Sequence, residues 1–445
     1  MLETLTYKRM FSILDSRIVD TQAGGRPHNG STQSLIRIIE TVNSFKCSTD
    51  FRDESGDEFH DQHVILCCLD CSKAFDRINR AILLDKLWSS GIRGRLFRFI
   101  VAYLCDRTQS VRINDAVSDL VTTLLGGPQG SVIILLAWLI YINDLHQAMT
   151  EGSEALFIDD VNIWLSDTDP ARAVKRLQSQ LDVIYSWAIF NGVIFDAMKF
   201  HIIDLSHNKI PQDLRDSVLY GPVRPSWDSE ARCLGLIIDS KLLFLNHMDA
   251  RLLKAESAAR AFLFPVAYGD NRINPRRLIQ IFRQYVLPCL EYGAVFWIFQ
   301  TKVVIHYSQD VVRPFKGRFD AMQKLYIKCA RAILGTNNSS DSLAVLNRLG
   351  WLPLDYYLCY RGLMWYLKIR TGDAGSLLKD LHHDFYLSEI DGRWTESLIF
   401  KPAHDMIKRL NTSCPDGDLF SMPLKEAKAS IKGLMYSELS DFWGH

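Results

Sequence analysis

Ala155-Leu156-Phe157-Ile158-Asp159-Asp160-Val161-Asn162-Ile163-Trp164 reads as strand, two-residue turn, strand, with adjacent carboxylates at the tip. Alternating apolar residues on both sides suit a hairpin half-buried in a sheet. Two neighbouring aspartates repel each other and disfavour strand, so the pair needs a counter-charge to be useful. A divalent cation supplies one. Hard oxygen ligands suit Mg²⁺, which takes one or two protein carboxylates plus substrate phosphates. A third carboxylate lies upstream, where the apolar run His63-Val64-Ile65-Leu66-Cys67-Cys68-Leu69 closes on Asp70.

Upstream of that run, residues 1–20 carry Leu2, Leu5, Met10, Ile13 and Leu14 at helical spacing. The turn-rich stretch Gly24-Gly25-Arg26-Pro27-His28-Asn29-Gly30-Ser31-Thr32 leads into a helix to about Phe45. Residues 47–62 are acidic and polar and read as a mobile loop. Beyond Asp70, Ser72 leads into one helix through Trp88, and a second ends near Asp106. Residues 109–124 predict a hairpin turning at Asn114-Asp115. The loop Gly126-Gly127-Pro128-Gln129-Gly130-Ser131 then becomes an apolar helix to Met149.

Past the Asp-Asp hairpin, Pro170 opens a helix through Phe190, capped by Asn191-Gly192. Short strands at 193–195 and 200–205 flank Lys199, and 233–238 with 241–245 predicts another hairpin. This order is mixed α+β with a central antiparallel sheet.

The 445 residues allow two or three domains, and 48% hydrophobic with 11% aromatic content describes a folded chain. Formal net charge is zero, so any affinity for nucleic acid must come from local patches. One such region starts near 248: Arg251, Lys254, Arg260, Arg272, Arg276, Arg277, Arg283, Arg313, Lys316, Arg318, Lys324, Lys328 and Arg331 face few acids and are interleaved with aromatics. Solvated helix faces and a surface that follows a phosphate backbone are both open readings. Cys67, Cys68 and Cys71 have no second Cys/His pair to complete a zinc set, and read as apolar strand residues in a reducing compartment. Residues 1–9 show no apolar signal segment. The longest apolar run, 132–142, falls short of the roughly 20 residues a bilayer needs, so no membrane partner is expected.

Four segments in order, Leu69-Asp70-Cys71-Ser72-Lys73-Ala74-Phe75-Asp76, Gly127-Pro128-Gln129-Gly130-Ser131, Tyr141-Ile142-Asn143-Asp144-Leu145 and Phe157-Ile158-Asp159-Asp160, resemble the reverse transcriptases of non-LTR (LINE-like, jockey-type) retrotransposons. Gly25-Arg26-Pro27, Leu234-Gly235-Leu236-Ile237-Ile238-Asp239, Tyr285-Val286-Leu287-Pro288 and Glu291-Tyr292-Gly293 extend the resemblance over roughly 1–370. It implies a right-hand polymerase: partial fingers at 1–62, an antiparallel palm at 63–247 and a helical thumb at 248–370. Residues 371–445 are a helical or irregular region without an assigned role.

The same resemblance implies RNA-directed DNA synthesis from a primer 3′-hydroxyl, with an RNA template, a DNA primer and dNTPs as partners. Asp70, Asp159 and Asp160 would be the catalytic ligands of two Mg²⁺ about 3.5–4 Å apart, with Mn²⁺ as a substitute. Cys71, Phe75, Gln129, Gly130 and Lys199 would meet the nucleotide, Phe75 as a ring that excludes a ribose 2′-hydroxyl and Lys199 as a proton donor to pyrophosphate. Arg26, Ser131, Leu234 and Gly235 would meet template or primer. Each has a plainer alternative: Phe75 a core ring, Gln129 part of an N-cap loop, Lys199 a solvated lysine, Arg26 a turn residue.

An RNA-dependent RNA polymerase is disfavoured by Phe75 and by the lack of Gly before Asp159. Ile158 stands where the family usually has Ala. Gly127 replaces the Val of Gly-Val-Pro-Gln-Gly, and Val132-Ile133-Ile134-Leu135 replaces Val-Leu-Gly-Pro. No Arg-Pro-Ile-Ser fingers strand, endonuclease, RNase H or zinc knuckle accompanies these motifs. The chain therefore also reads as a fragment or silent nucleic-acid-binding remnant of a larger element. Nuclear action is expected from the resemblance. Oligomeric state is not legible.

Overall fold

The structure is a computed structural model that describes residues 2–27, 29–47, 62–149, 153–269, 273–301, 313–371, 382, 397–414 and 417–443. The acidic stretch expected to form a mobile loop, Arg272, and most of 372–396 lie outside the described residues, as do the side chains of Arg313 and Lys316. Two compact units divide the chain, Met1–Leu234 and Gly235–His445.

The first unit is built on β1 (His63–Asp70), whose residues up to Leu69 are all buried. A strand apolar on both faces belongs in the middle of a sheet, and β1 is central. Its neighbours are β2 (Ser153–Phe157), β3 (Asp160–Asp167), β4 (His201–Asp204) and β5 (Trp227–Asp228), in the order β2-β3-β1-β4-β5. β1 runs antiparallel to β3 and to β4, while β4 and β5 are parallel. The mixed α+β class with an antiparallel core is as expected.

Ile65, Cys67 and Leu69 of β1 share one apolar core with α3 (Val132–Ile142) and α4 (Pro170–Asn191), alongside α1 (Leu2–Leu14). α3 is apolar all round, the pattern of a buried helix, and all of it but Val132 and Leu135 is buried. On the alternate parity, Trp164 of β3 carries Arg37 of α2 (Ser31–Cys47) over its ring at 5.5 Å. Behind the hairpin, Asp144 accepts from Lys86 Nζ (2.8 Å) and Trp187 Nε1 (3.0 Å), so that part of the Tyr141–Leu145 motif ties helices together.

Several local expectations shift. The helix after Ser72 is two pieces, Ala74–Arg77 and Arg80–Ser89, because the Asn79 side chain accepts from Ala81 N and Ile82 N and restarts the helix. The apolar helix ends at Ile142, with a separate turn at Leu145–Ala148. Residues 109–124 do fold back at Asn114 (φ 53°), as two nested ribbons of exposed two-residue strands. Residues 193–195 form no strand beyond a single bridge, Phe195 with Cys71.

The second unit opens with the strand Leu236–Asp239. The expected partner strand at 241–245 does not form. Asp239 accepts from the backbone N–H groups of Lys241 (3.0 Å), Leu243 (3.2 Å) and Phe244 (2.6 Å), and this turn delivers α5 (Leu245–Ala258) instead. The rest is helical, including α6 (Arg313–Leu334), α7 (Leu354–Thr371) and α8 (Leu424–Trp443). π-Helical turns at Ala259–Leu263 and Phe282–Val286 each precede a proline within two residues. They present Phe262 stacked on Tyr285 at 4.4 Å.

Candidate active site

Strand register brings the carboxylates together. Asp70, the last residue of β1, pairs with Asp160, the first of β3, and Asp160 faces Phe157 across the β2–β3 hairpin. The turn is therefore Ile158-Asp159, one residue earlier than Asp159-Asp160, because Asp160 is held in the ladder. Ile158 takes φ 60°, a left-handed conformation that a β-branched side chain adopts only under constraint.

The constraint is visible. Ile158 N donates to Gln22 Oε1 (3.0 Å), Gly24 N donates to the same oxygen (3.0 Å), and Trp138 Nε1 donates to Ile158 O (2.8 Å). Gln22 and Trp138 are fully buried. The segment 21–24 also joins β2 through Leu156 N to Thr21 O (2.9 Å) and Ala23 N to Leu156 O (3.0 Å). Gly24 lies so close that a Cβ would sit 2.6 Å from Ile158 N. Both backbone groups of Ile158 are thus gripped, from the start of the chain and from α3.

Asp159 and Asp160, packed beside Asp70, resist ionisation. Burial pushes Asp160 up to about 7, with the charges of Asp159 and Asp70 adding to it. Burial, then Asp70, also raises Asp159. Burial foremost, then the same carboxylates, pushes the Cys71 thiol up to about 12, so it is a neutral group. Lys199 is the near cation: its Nζ is 3.7 Å from Asp70 Oδ2 and 3.9 Å from Asp196 Oδ2. It is delivered by Ser72 N donating to Ile194 O (2.8 Å) and by the Cys71–Phe195 bridge.

Among the described residues no group of three or more His, Cys, Asp or Glu side chains is placed to hold a metal ion. The donor set still fits a hard cation. It is all carboxylate oxygen, the donor type that hard cations take.

A pH dependence follows. The Asp160 carboxyl titrates near 7 when folded and near 3.9 when unfolded. Below about pH 4 both states hold the proton and no penalty arises. As pH climbs to 7 the unfolded chain releases it first, so folding stability falls over that window. In EDTA, the melting temperature of Asp160→Asn minus that of the unsubstituted chain should widen from pH 4 to 7 and then level off. A difference independent of pH would refute this.

Around Phe75 the loop after residue 125 closes. Gly126 N donates to Ile78 O (2.8 Å) and Gly127 N to Phe75 O (3.0 Å). Gly126 has φ 74°, and a Cβ there would meet Asp76 O at 2.7 Å, so this approach admits only glycine. Gln129 Nε2 donates to Asp76 Oδ1 (2.7 Å), and a cavity of about 500 Å³ opens beside them, lined also by Arg80 and Arg107. Phe75 is half-buried, its ring 5.8 Å from Trp138, the residue that holds Ile158. Gly130 (φ 84°) has open space above it.

The two departures in this loop explain each other. A Cβ on Gly127 would lie 2.3 Å from Ile134 Cδ1, so Ile134 occupies the volume a valine would need. Gly127→Val alone should therefore cost about 1–3 kcal/mol by overpacking. Combined with Ile134→Ala most of that loss should return, as a coupling in a double-mutant cycle of urea denaturation. Strict additivity would contradict the assignment.

The residues expected near template or primer are placed differently. Arg26 is spent inside the fold, donating to Asp15 Oδ1 (3.1 and 3.2 Å) and Val19 O (3.3 Å). The buried Ser131 caps α3 through Ile133 N and lies 2.9 Å from the Tyr103 hydroxyl. Leu234 (φ 48°) ends the first unit and Gly235 (φ 83°) opens the second.

The family model for reverse transcriptase (RNA-dependent DNA polymerase) matches residues 2–238. The chain belongs to the reverse transcriptase family. It is 23% identical over 313 residues to "Probable RNA-directed DNA polymerase from transposon X-element" of Drosophila melanogaster, covering 67% of this chain and 32% of that protein. It is 26% identical over 200 residues to "Probable RNA-directed DNA polymerase from transposon BS" of the same species, covering 40% and 21%. The reverse transcriptase chain thus spans about a third or less of the curated relatives it matches. Among solved structures, telomerase from Candida tropicalis with a TWJ fragment of telomeric RNA aligns over 97% of this chain and 56% of its own, at 13% identity and TM-score 0.39. Telomerase from Candida albicans with the same kind of fragment aligns over 81% and 55%, at 9% identity and TM-score 0.35.

Sequence reasoning missed Gln22, Gly24 and Trp138 as the supports of the carboxylate turn. The only trace was a Gly-Gly pair and a tryptophan within a helix whose other residues, Tyr141 apart, are aliphatic. Among the described residues no helix is long and apolar enough to cross a membrane, and Cys67, Cys68, Cys71 and Cys233 of the first unit are free thiols.

Proposed function

We propose that this chain catalyses RNA-directed DNA synthesis, adding dNTPs to the 3′-hydroxyl of a primer on an RNA template. The observation that carries the reading is the register pairing Asp70 with Asp160, beside Asp159 at the hairpin turn. The family match and the transposon relatives support it, and action in the nucleus goes with it. In the same reading 1–62 is a partial fingers region, 63–247 the palm and 248–370 the thumb.

Asp70 and Asp159, with Asp160 beside them, would hold two Mg²⁺, or Mn²⁺ in their place. Bound there, the ions would neutralise phosphate charge and make the primer hydroxyl a better nucleophile at neutral pH. Gln22 and Trp138 fix the turn, so the carboxylates need little rearrangement. Lys199 would turn from Asp70 toward the leaving pyrophosphate and offer it a proton. Cys71 stays neutral and adds no charge. Phe75, braced on Trp138, would close the sugar pocket against a 2′-hydroxyl, with Gln129 and Gly130 beside the base.

Extension of a DNA primer on RNA, with dNTPs or rNTPs supplied singly, tests the assignment. The chain should use dNTPs far better, and Phe75→Val should raise relative rNTP use about 10–100-fold, the range of small steric discriminations. An unchanged ratio would leave Phe75 a core ring.

A further inference from the structure

We propose that the second unit carries a track for single-stranded nucleic acid in the groove between α7 and α8, built from residues outside the catalytic motifs. It rests on the reverse transcriptase reading for its ligand. The groove, about 410 Å³, is lined by Arg361, Trp365, Lys368, Lys425 and Lys428, with apolar Leu424, and among the described residues by no carboxylate.

Both rows are helical stripes. Arg361, Trp365 and Lys368 follow i, i+4, i+7 on α7. Lys425 and Lys428 continue to Lys432 as i, i+3, i+7 on α8. At 1.5 Å per residue each stripe runs about 10 Å, long enough to meet more than one phosphate. Lys368 Nζ lies 5.2 Å from the Trp365 ring centre, and Lys432 Nζ lies 5.7 Å from that of Tyr436. Arg361 is shared with Glu291 at 3.4 Å. Among the described residues Lys425 and Lys428 have no carboxylate partner and are exposed.

Cations beside an accessible aromatic face are the pairing that single strands use, phosphates on the charges and a base on the ring, without sequence preference. A duplex keeps its base faces covered. A membrane surface would call for fully exposed bulky apolar residues beside the lysines, whereas Met364 in this groove is buried and Leu424 and Trp365 are half-buried.

The test is anisotropy of a labelled 15-nucleotide oligouridine with the full chain over a KCl series. Lys425→Glu/Lys428→Glu should weaken binding at least tenfold and reduce the salt slope by about 1.4, two contacts at about 0.7 each. Trp365→Ala should weaken it about tenfold with the slope unchanged. Both variants should still extend a short primer–template, and melting curves check that they fold. Unchanged affinity in both, or tighter binding of phosphatidylserine vesicles than of RNA, would overturn the proposal. Failure of the unsubstituted chain to extend any primer, with these binding losses intact, would refute the catalytic reading and leave the groove standing.

Discussion

Asp70→Asn should lower RNA-templated extension by at least about 10³-fold, while the chain melts no lower than before. The size follows from the position: a ligand of the reacting centre contributes several kcal/mol to the transition state, and each 1.36 kcal/mol is tenfold in rate. The stability follows from charge. Asp70 helps push Asp160 up to about 7, so neutralising it relieves repulsion among the trio. What is lost is its 3.7 Å pairing with Lys199, in which both side chains are about half exposed, and pairs of that kind are worth little. Single-turnover extension and thermal melting on the same preparation check both halves. A variant that keeps a tenth of the activity, or melts well below the unsubstituted chain, would place Asp70 in the scaffold.

The second large effect is expected 46 residues upstream. Gly24→Ala puts a methyl 2.6 Å from both N and Cγ1 of Ile158 and 2.9 Å from Phe157 C. Two of those atoms are backbone, so the hairpin turn itself must move. Overpacking of this kind costs about 1–3 kcal/mol, near 2–4 °C per kcal/mol for a unit of this size. The activity loss should exceed what the lost stability explains, about 10²-fold, because displacing a reacting group by an ångström is enough for that. Gly24→Ala with Ile158→Ala should recover part, since it removes the Cγ1 contact and leaves the one to N. Equal losses in the single and double variants would show that the segment at 21–24 does not position the turn.

The carboxylate hairpin was legible because its signal is short-range: alternating apolar residues, two aspartates, and a strand closing on a third. The one-residue shift of the turn was not. Local turn chemistry favours Asp over a β-branched residue at the tip, and the ladder to Asp70 outweighs that preference by holding Asp160 in strand. The supports at Gln22 and Trp138 were out of reach because they depend on contacts 136 and 20 residues apart.

The basic run after 248 shows the same limit. Arg318 is tied to Asp249 at 2.8 Å, Arg260 to Glu256 at 3.1 Å, and Arg331 donates to Ser340 O at 2.6 Å. These cations hold the fold as well as face solvent, and no one-dimensional charge count reveals which does which. The lysines of α8, given no role by motif, form the more open basic face. The hairpin expected at 241–245 failed for a comparable reason: the Asp239 carboxylate captures the N–H groups a second strand would need.

The most direct measurement is extension of a labelled DNA primer on an RNA template with Mg²⁺ and dNTPs, comparing the purified chain with Asp159→Ala. Products should lengthen with time for the unsubstituted chain, vanish in EDTA, and be absent for the variant. Equal extension by both, or none by either while primer–template remains bound, would contradict this.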